Sequence, residues 1–346
     1  GTHSIGRANL DGTGADPSFI TGLNPGPVSV TVAASHLYWA SAASSTPFIG
    51  RANLDGTGVN QAFISGASVP CGVAVDGSPI YWANATGTTI GRANLNGTGA
   101  DENFITGASF PCGVAVDGSH VYWANQGPSN SGTTLGRANL DGSNPNQSFI
   151  TGATQPVGVA VNKKFIYWGN GSSTTLGRAN INGTGVNQSF ITGANEPDLP
   201  AVDGSHIYWS NANGTTLGRA NLDGTGVNEF FIAVASNPGG VAVDLPKPSN
   251  KFTLAKPKLD TKNGTASLTA KVPGPGKLKL TGKNVAKASK AATKAGKVKL
   301  TVKASGAGAR ALKKHGSLRV AVKVTYTPTG GDPKAITTHL TLKLKT

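Results

Sequence analysis

A six-fold internal repeat constrains the fold of this chain more than any other feature. The tetrapeptide Gly-Arg-Ala-Asn recurs six times, at spacings of 41 to 45 residues. The arginines of the six copies are Arg7, Arg51, Arg92, Arg137, Arg178 and Arg219. A period of this length is typical of proteins in which each repeat is one supersecondary unit that buries its apolar face against its neighbours. Residues 5 to 244 are therefore expected to form an array of six similar units.

Each repeat predicts four short antiparallel strands. Residues 72 to 107 contain Gly-Val-Ala-Val-Asp, Ile-Tyr-Trp-Ala-Asn, Thr-Ile-Gly-Arg-Ala-Asn and Asn-Phe-Ile-Thr-Gly in this order. Short runs of β-branched and aromatic residues that end in Gly, Asn, Asp or Pro indicate strands, and Asp-Gly or Asn-Gly favours a tight hairpin. No stretch of the repeat keeps the 3.6-residue apolar period of a helix for two turns. The region is expected to be all-β.

All five tryptophans lie in Tyr-Trp pairs at the same point of the repeat. The pairs are Tyr38-Trp39, Tyr81-Trp82, Tyr122-Trp123, Tyr167-Trp168 and Tyr208-Trp209. Neighbouring side chains on a strand point to opposite faces, so each pair can pack one ring toward the preceding sheet and one toward the following sheet. A radial array of sheets requires this arrangement. The rings are predicted to form the core of a six-bladed β-propeller instead of stacking on a ligand.

The repeat resembles the YWTD-repeat propellers of the low-density-lipoprotein-receptor type. The resemblance rests on the Tyr-Trp pairs, the Ile-Gly-Arg-Ala-Asn-Leu-Asp-Gly stretches and the Pro-x-Gly-Val-Ala-Val-Asp strands, and it covers residues 5 to 244. It implies a disc of six blades. The sequence departs from the family where Thr-Asp follows Tyr-Trp. The residues there are Ala40-Ser41, Ala83-Asn84, Ala124-Asn125, Gly169-Asn170 and Ser210-Asn211. An uncharged Asn can still bond a backbone turn, so the expected fold is unchanged.

Both chain ends are expected to build one blade, because a propeller leaves no open sheet edge. Residues 4–10 and 17–21 predict a third and a fourth strand, and residues 240–244 predict a first strand. No sixth Tyr-Trp pair follows Asp244. Residues 251–254 either supply the second strand or open the next domain. A larger ring whose upstream residues have been lost is the remaining alternative.

The charge divides the chain at residue 246. Residues 1–246 carry 8 basic and 14 acidic side chains (net −6), and residues 247–346 carry 23 and 2 (net +21), which together give the net charge of +15. A propeller domain over 1–246 and a basic domain over 247–346 are predicted. Any partner recognised through positive charge is expected to contact the second domain.

Lysine alternates with apolar residues in this second part, as in Lys277-Leu278-Lys279-Leu280. Strict period-two alternation predicts half-buried strands and a small antiparallel β-sandwich. The predicted inward residues are Leu268, Leu278, Leu280, Leu300, Val320, Val322, Val324, Leu340 and Leu342. Residues 309–314 are expected to form one short helical turn. The segment resembles the lysine-rich immunoglobulin-like modules at the C-terminal ends of exported actinobacterial proteins.

One repeat position is expected to lie near the propeller axis, if the first strand of each blade is the innermost. It holds Val28, Cys71, Cys112, Val157, Asp198 and Gly239. The two cysteines come from adjacent blades and would form a disulfide if their Cα atoms lie within about 7 Å. Two unlinked buried thiols, or a metal-binding or catalytic thiol, are the alternatives. Asp198 carries the only charge in this set, and with Glu196 it departs from the repeat.

Other polar residues recur with the repeat and are expected to be structural. His36, His120 and His206 precede Tyr-Trp strands and are predicted to be solvated turn residues, not metal ligands. Asp76, Asp117, Asp203 and Asp244 end first strands, where a carboxylate caps a turn. The repeated arginines and the Asn-Gly-Thr triplets are assigned to structure and to turns. No cofactor or metal is predicted.

The sequence as a whole favours a noncatalytic extracellular or cell-surface binding protein. The propeller would present a face to a protein or glycan ligand, with variable loops such as residues 126–132, and the basic domain would bind an anionic cell-envelope polymer. Nucleic acid is not expected, because the basic domain offers only Phe252 and Tyr326 for base stacking. No apolar run of about 18 residues predicts a transmembrane segment. A signal peptide ahead of Gly1 is expected for an exported protein. The alternative is a propeller enzyme of the lactonase or virginiamycin B lyase type.

Overall fold

A computed structural model gives the fold. The described residues are 3–33, 35–42, 46–75, 77, 79–212, 214–233, 237–244, 248–329, 331 and 333–345. The chain divides into two compact units, Gly1–Asp244 and Leu245–Thr346. The predicted all-β class is confirmed, and each unit is described separately below.

Five complete blades follow one another along the first unit, each a four-stranded antiparallel sheet in sequence order. Blade 6 contains the first two strands of the chain, β1 (Ile5–Arg7) and β2 (Asp16–Ile20). Blade 1 contains β3 (Ser29–Ala33), β4 (His36–Ser41), β5 (Phe48–Asn53) and β6 (Asn60–Ser65). Blade 2 contains β7 (Pro70–Val75), β8 (Pro79–Asn84), β9 (Thr89–Asn94) and β10 (Asp101–Thr106).

The remaining blades repeat this plan. Blade 3 contains β11 (Pro111–Val116), β12 (His120–Asn125), β13 (Thr134–Asn139) and β14 (Asn146–Thr151). Blade 4 contains β15 (Pro156–Val161), β16 (Phe165–Asn170), β17 (Thr175–Asn180) and β18 (Asn187–Thr192). Blade 5 contains β19 (Pro197–Val202), β20 (His206–Asn211), β21 (Thr216–Asn221) and β22 (Asn228–Ala233).

The Tyr-Trp strands hold neighbouring blades together. Each Trp packs toward the preceding blade and each Tyr toward the following blade, so that Tyr81 and Trp123 share one apolar cluster and Tyr122 and Trp168 share the next. All five Trp side chains are fully buried. Because rings from both sides fill each of the four interfaces between blades 1 and 5, the stability of each of these blades depends on its neighbours.

The repeated arginines pack inside their own blades. Arg137 lies over the ring of Phe149, with its guanidinium carbon 3.9 Å from the ring centroid, and Tyr122 contacts the same ring from its strand. The other five arginines make the same contact with the Phe of their own fourth strand. A cation over an aromatic face is favourable by about 0.5–1 kcal/mol at exposed sites. One such contact in each blade explains why the arginine recurs in all six repeats.

In blades 2 to 5, a glutamine or glutamate on the fourth strand accepts a hydrogen bond from the indole of the same blade. Trp123 Nε1 donates to Gln147 Oε1 at 3.0 Å, and Gln147 Nε2 donates to the Thr106 carbonyl of the preceding blade at 3.0 Å. Glu102 accepts from Trp82 Nε1 through Oε2, but its buried Oε1 has no partner among the described residues. Glu229 repeats this arrangement in blade 5.

Replacing Glu102 and Glu229 with Gln is expected to stabilise the propeller at neutral pH. Burial raises the pKa of both carboxyls, with opposing hydrogen bonds from Trp and Asn. The folded state therefore holds the proton more tightly than the unfolded chain, and stability falls as pH rises from about 4.5 through the raised pKa. Gln removes this penalty and can donate to the preceding blade, which is favourable by about 1 kcal/mol per site.

The measurement is thermal unfolding of wild type and the double Gln variant at pH 4 and pH 7.5. The melting temperature is expected to increase more at pH 7.5 than at pH 4. Equal gains at both values would show that ionisation of the two carboxyls carries no cost.

Blade 6 is incomplete. Its described residues contain one ladder, between β1, which corresponds to the third strand of the other blades, and β2, which corresponds to the fourth. The predicted first strand at residues 240–244 is wrong: these residues form no strand, although the Gly240 N–H donates to the Val28 carbonyl at 2.9 Å. A first strand in the other blades pairs with a Tyr-Trp strand, and the described residues of blade 6 contain no such strand. Residues 253–254 join the second unit, which decides between the two alternatives for residues 251–254.

The second unit contains two four-stranded antiparallel sheets around one core. One sheet holds β23 (Thr253–Leu254), β24 (Lys258–Asp260), β25 (Thr265–Val272) and β28 (Gly296–Lys303). The other holds β26 (Gly276–Thr281), β27 (Ala288–Ala292), β29 (Ser317–Pro328) and β30 (Lys334–Lys343). The nine residues predicted to point inward are all buried.

The helical segment is longer than predicted. Helix α1 covers Gly306–His315, with Leu312 buried and Gly316 in the left-handed conformation at its C-terminal end. The Gly316 N–H donates to the Leu312 carbonyl, a common way of ending a helix. In the described part of the chain no helix has the length and apolar character needed to cross a bilayer.

Candidate functional site

The first strands of adjacent blades meet around the axis of the propeller. Five of the six residues predicted to lie there are on these strands or directly before one, and a Cβ on the sixth, Gly239, would lie 2.6 Å from the Val28 carbonyl oxygen. Cys71 on β7 and Cys112 on β11 form a disulfide between blades 2 and 3, with their Cα atoms 4.9 Å apart. Of the three alternatives left open for the cysteines, the structure therefore has the disulfide. Cys112 is buried and Cys71 is partly exposed.

One residue further along, the first strands approach to backbone contact. This position holds Ser29, Gly72, Gly113, Gly158, Leu199 and Gly240. A Cβ on Gly72 would lie 2.6 Å from the Cys112 carbonyl oxygen, and a Cβ on Gly158 would overlap the backbone of Leu199. Backbone and the side chains of Ser29 and Leu199 therefore line the axis at this level. The side chains that differ in chemistry from blade to blade lie before this position, at the start of each first strand.

Gly113→Ala tests this close approach. The added methyl group would lie 2.8 Å from Val159 N and 2.9 Å from the Val157 carbonyl oxygen, so the strands would have to separate. We expect a loss of about 1–3 kcal/mol of unfolding free energy. Gly118→Ala is the matched control, because no atom lies within 4 Å of its Cβ position. Equal stability of the two variants, measured by chemical denaturation, would contradict backbone contact at the axis.

Asp198 is the second residue of β19, the first strand of blade 5. Its Oδ1 accepts a hydrogen bond from the Leu199 N–H at 2.8 Å. Burial raises the pKa of Asp198 to about 6, with the hydrogen bond opposing the shift. The carboxylate is therefore mostly ionised at pH 7 and mostly neutral at pH 5. The charge of the Asp198 side chain, near the start of a first strand beside the propeller axis, therefore depends on pH.

A second set of residues surrounds the axis at one face of the propeller. These residues directly precede the proline at the start of each first strand, and we call them the rim ring. The rim ring is Gly26, Val69, Phe110, Gln155, Glu196 and Asn237. All except Gly26 have positive φ angles, between 40° and 53°. Such backbone conformations cost of order 1–3 kcal/mol each and cluster at functional sites.

Hydrogen bonds from two neighbouring blades hold this conformation. The Gln155 N–H donates to the Gly132 carbonyl of blade 3 at 2.9 Å, and the Gln155 carbonyl accepts from the Gly171 N–H of blade 4 at 3.0 Å. Asn170, the residue after Tyr-Trp-Gly, anchors the same loop because its Oδ1 accepts from the Thr154 N–H. Asn84, Asn125 and Asn211 bond the equivalent N–H groups in their own blades. The Asn at the end of these second strands thus supports the rim ring.

The rim ring is apolar on one side and polar on the other. Val69 and Phe110 lie on the two blades joined by the disulfide, and Phe110 is 38% exposed. Gln155, Glu196 and Asn237 follow around the ring, with Asp198 two residues beyond Glu196. The face can therefore contact a ligand that has an apolar group beside polar or cationic groups.

A shallow pocket adjoins the rim ring at Gln155. It is lined by Gln155 and Ser172 of blade 4 and by the end of the 126–132 loop, and its volume is about 220 Å³. The loop contains a short 3₁₀ turn at Pro128–Asn130. Small-molecule sites usually measure about 300–1,000 Å³. This pocket matches one side chain or one sugar ring in size.

The remaining polar residues singled out by the sequence form hydrogen bonds or ring contacts within their own blades. Asp117 Oδ1 accepts from the Ser119 and His120 N–H groups, and its Oδ2 accepts from the Tyr122 hydroxyl. Asp203 makes the same contacts in blade 5. Asp244 is exposed, and Asp76 lies outside the described residues. His36, His120 and His206 each begin a second strand beside the Tyr of that strand.

The outward face of the second unit is strongly basic. We define the basic face as Lys277 and Lys279 on β26, Arg319 and Lys323 on β29 and Lys343 on β30, all exposed. Each lies opposite a Thr or Ser on the neighbouring strand, so the charges are spaced across the sheet. Among the residues that the structure describes, none of these cations forms an ion pair.

Comparison with known proteins supports the propeller fold. No protein-family model and no curated protein matches the sequence. A solved nidogen/laminin complex contains a similar chain, with a TM-score of 0.54 and 19% identity over 64% of this chain and 87% of that chain. A catalytically inactive virginiamycin B lyase from Staphylococcus aureus with quinupristin gives 0.48 and 17%, over 64% and 75% of the two chains. A streptogramin B lyase gives 0.48 and 13%, over 77% and 82%.

Sequence reasoning missed the rim ring as a set. It identified Glu196 only as a departure from the repeat. The signal is the residue before the first-strand proline, which is a different residue type in every blade while the proline after it repeats. A variable position inside an otherwise regular repeat is typical of a recognition surface.

Proposed function

We propose that the chain is a noncatalytic binding protein of the cell surface or extracellular space. The propeller, of the YWTD type, recognises a protein or glycan through the rim ring and its adjoining loops. The basic unit, an immunoglobulin-like module, associates with an anionic polymer of the cell envelope. The observation that carries the proposal is the distribution of side chains: mostly glycine backbone lines the axis where the first strands approach one another, and the variable rim ring is at least partly exposed in every blade.

The rim ring supports recognition of a macromolecule. The residues vary in charge and size but share one strained backbone conformation, which fixes their directions before a ligand binds. Preorganised contacts lower the entropy cost of binding. The nidogen chain of similar fold comes from a complex with laminin, and a protein ligand for this propeller accords with that precedent. The disulfide accords with an oxidising, extracellular location.

The basic face supports association with an anionic polymer. It concentrates positive charge that has no ion-pairing partner within the described residues of the unit. Such a surface raises the local concentration of anionic partners, and salt screens the attraction. A repeating polyanion can contact several of the spaced cations at once.

Retention on a polyphosphate resin tests the basic face with the intact protein. Wild type is expected to bind at low ionic strength and to elute by about 1 M salt, where the Debye length is about 3 Å. Lys277→Gln/Lys279→Gln is expected to elute at lower salt. Lys163→Gln/Lys164→Gln, which removes the two exposed propeller lysines, is the matched control and should elute with wild type. Equal elution of all three proteins would contradict the assignment.

The second candidate function is a lyase or lactonase with Asp198 as the acid or base. The raised pKa of Asp198 near the axis is the observation that favours it. Incubation with quinupristin, the compound in the solved lyase structure, tests this alternative. Turnover by wild type that Asp198→Asn abolishes would establish the enzyme and refute the noncatalytic proposal.

A further inference from the structure

The five cations of the basic face lie in successive rows of their sheet. A row is a set of directly opposite residues on neighbouring strands, and the ladders of β29 with β26 and with β30 have no register shift. Six consecutive rows cross these strands on the outward side. Lys277, Lys279 and Lys323 lie in rows 1, 2 and 3, and Arg319 and Lys343 lie in rows 5 and 6. No row contains two of these five cations.

The rows fix the distance between neighbouring charges. Residues two positions apart on one strand are about 6.7 Å apart, so successive rows have this spacing. From Lys277 in row 1 to Lys343 in row 6, the cations shift from β26 through β29 to β30. The line that they form is about 35 Å long. Row 4, where Ala321 lies opposite His339, interrupts it once. A ligand that fits the whole line is therefore linear, with charges at regular intervals.

Hydroxyl groups accompany the cations in these rows. Each of the five rows contains a Thr or Ser beside its cation, such as Thr325 beside Lys279 and Thr341 beside Arg319. The remaining positions in the six rows are Ala, Ser or Thr, apart from His339. A hydroxyl can both donate and accept a hydrogen bond. Each of these rows therefore offers a ligand one positive charge and at least one hydroxyl, and none of the six contains a carboxylate.

The other sheet of the unit lacks this order. There Lys271 lies directly opposite Lys297, and the row of Lys303 also contains Asp260 on the far side of Thr265. Like charges directly opposite each other repel, and a carboxylate in the row offsets its cation. One uncompensated charge per row is therefore a property of the basic face, and alternation of lysine with apolar residues does not by itself produce it.

We propose that the basic face binds a polymer of polyol units joined by phosphodiesters, with six backbone bonds from one phosphorus to the next, as in poly(glycerol phosphate). This assignment rests on the proposed association of the basic face with an anionic polymer, and it names the chemistry of that polymer. Six single bonds are the backbone length of two amino-acid residues, which extend to about 7 Å. One phosphate per row can therefore contact one cation, while the polyol hydroxyls reach the Thr and Ser side chains.

A single strand of nucleic acid also has six backbone bonds per phosphate, but the basic face does not favour it. Proteins that bind single strands stack the bases on aromatic side chains. The six rows contain no Phe, Tyr or Trp. A polyol has no base to stack, so the hydroxyl-rich surface between the cations suits it better.

Relocation of charges in the intact protein tests the spacing at constant net charge. The between-row variant is Lys323→Thr/Thr325→Lys combined with Arg319→Ser/Ser317→Arg. It moves two cations into rows 2 and 6, which already contain one each, and leaves rows 3 to 5 without a permanent cation. Every inward residue of the sandwich stays unchanged, so the fold should be retained.

The matched control moves the same two cations without emptying a row. The within-row variant is Lys323→Thr/Thr281→Lys combined with Arg319→Thr/Thr341→Arg, since Thr281 lies opposite Lys323 and Thr341 lies opposite Arg319. Both variants keep the net charge of the protein and the number of cations on the face. They differ only in how those cations are distributed among the rows.

The salt dependence of binding counts the phosphates contacted at once. Affinity for fluorescently labelled poly(glycerol phosphate), longer than the line of cations, is measured by anisotropy. For single strands with the same six-bond spacing, each contact adds about −0.7 to the slope of log affinity against log salt. Five contacts in wild type and in the within-row variant should therefore reduce affinity about 100-fold over a fourfold rise in salt. The between-row variant, with three occupied rows, should lose only about 20-fold.

Three results would overturn the proposal, and they are distinguishable. Equal salt dependence of the two relocated variants would refute the spacing, although association of the basic face with polyanions would stand. Tighter binding of oligo(dT) than of poly(glycerol phosphate), at the same number of phosphates and the same salt, would identify single-stranded nucleic acid as the ligand. If wild type binds neither polymer at low salt, the proposed function of the basic face fails together with this assignment.

Discussion

Trp168→Ala is expected to lower the unfolding free energy of the propeller by about 3–5 kcal/mol. Trp168 is fully buried between blades 3 and 4, where it packs in one cluster with Tyr122. Its Nε1 also donates to Gln188 Oε1 at 3.2 Å. Truncation leaves a cavity in an interface lined on one side by the backbone of Gly177, which cannot extend a side chain into it. All five tryptophans lie in the propeller, so urea unfolding followed by their fluorescence reports this unit alone.

Phe230→Ala is the control for the tryptophan variant. It removes an aromatic ring from the same propeller, but the ring is 80% exposed. We expect a change within about 0.5 kcal/mol, as is usual for surface positions. If Trp168→Ala costs no more than Phe230→Ala, the indole rings do not hold the blades together.

Removing the disulfide is expected to cost up to about 4 kcal/mol. The bond closes a loop between residues 41 positions apart and restricts the unfolded chain, and the entropy lost for such a loop corresponds to about 4 kcal/mol at 25 °C. The suitable variant is Cys71→Val/Cys112→Val, since blades 1 and 4 carry Val28 and Val157 at the same repeat position. This exchange keeps the site apolar and breaks only the covalent link.

Reduction provides the internal control for the disulfide. Wild type treated with a reductant should lose stability and approach the double Val variant, and the reductant should leave the variant unchanged. A wild-type melting temperature that does not respond to full reduction, with thiol content measured on the same sample, would contradict the expected contribution.

The repeat alone determined most of the propeller, for a physical reason. Tyr and Trp at adjacent strand positions must point to opposite faces, and only packing between successive sheets buries both. Alternation of Leu and Lys fixed the inward side of the second unit in the same way, because a one-residue slip would bury lysines. These features depend on local periodicity, which a sequence displays directly.

Other features depend on contacts between distant residues and were not predictable. Backbone carbonyl and N–H groups on two other loops stabilise the positive φ of Gln155. The residue type at position 155 gives no indication of these contacts. Residues 240–244 carry a strand pattern but remain outside a ladder, because no second strand among the described residues pairs with them. The start of α1 is rich in Gly and Ala, so its apolar period begins later than the helix does. The pairing of Cys71 with Cys112 required the spacing of adjacent first strands.

Co-sedimentation of the intact protein with isolated actinobacterial envelopes tests the central claim most directly. The variants are a rim variant, Phe110→Ala/Glu196→Gln/Asp198→Asn, and a control, Phe230→Ala/Asp16→Asn/Asp101→Asn, which removes the same ring and two acidic charges away from the rim. We predict that wild type and control co-sediment at low salt and remain partly bound at about 1 M salt, where only short-range contacts persist. The rim variant should bind at low salt and be released at high salt. Absence of wild type from the envelope pellet at low salt, or identical behaviour of all three proteins at high salt, would contradict recognition through the rim ring with attachment through the basic face.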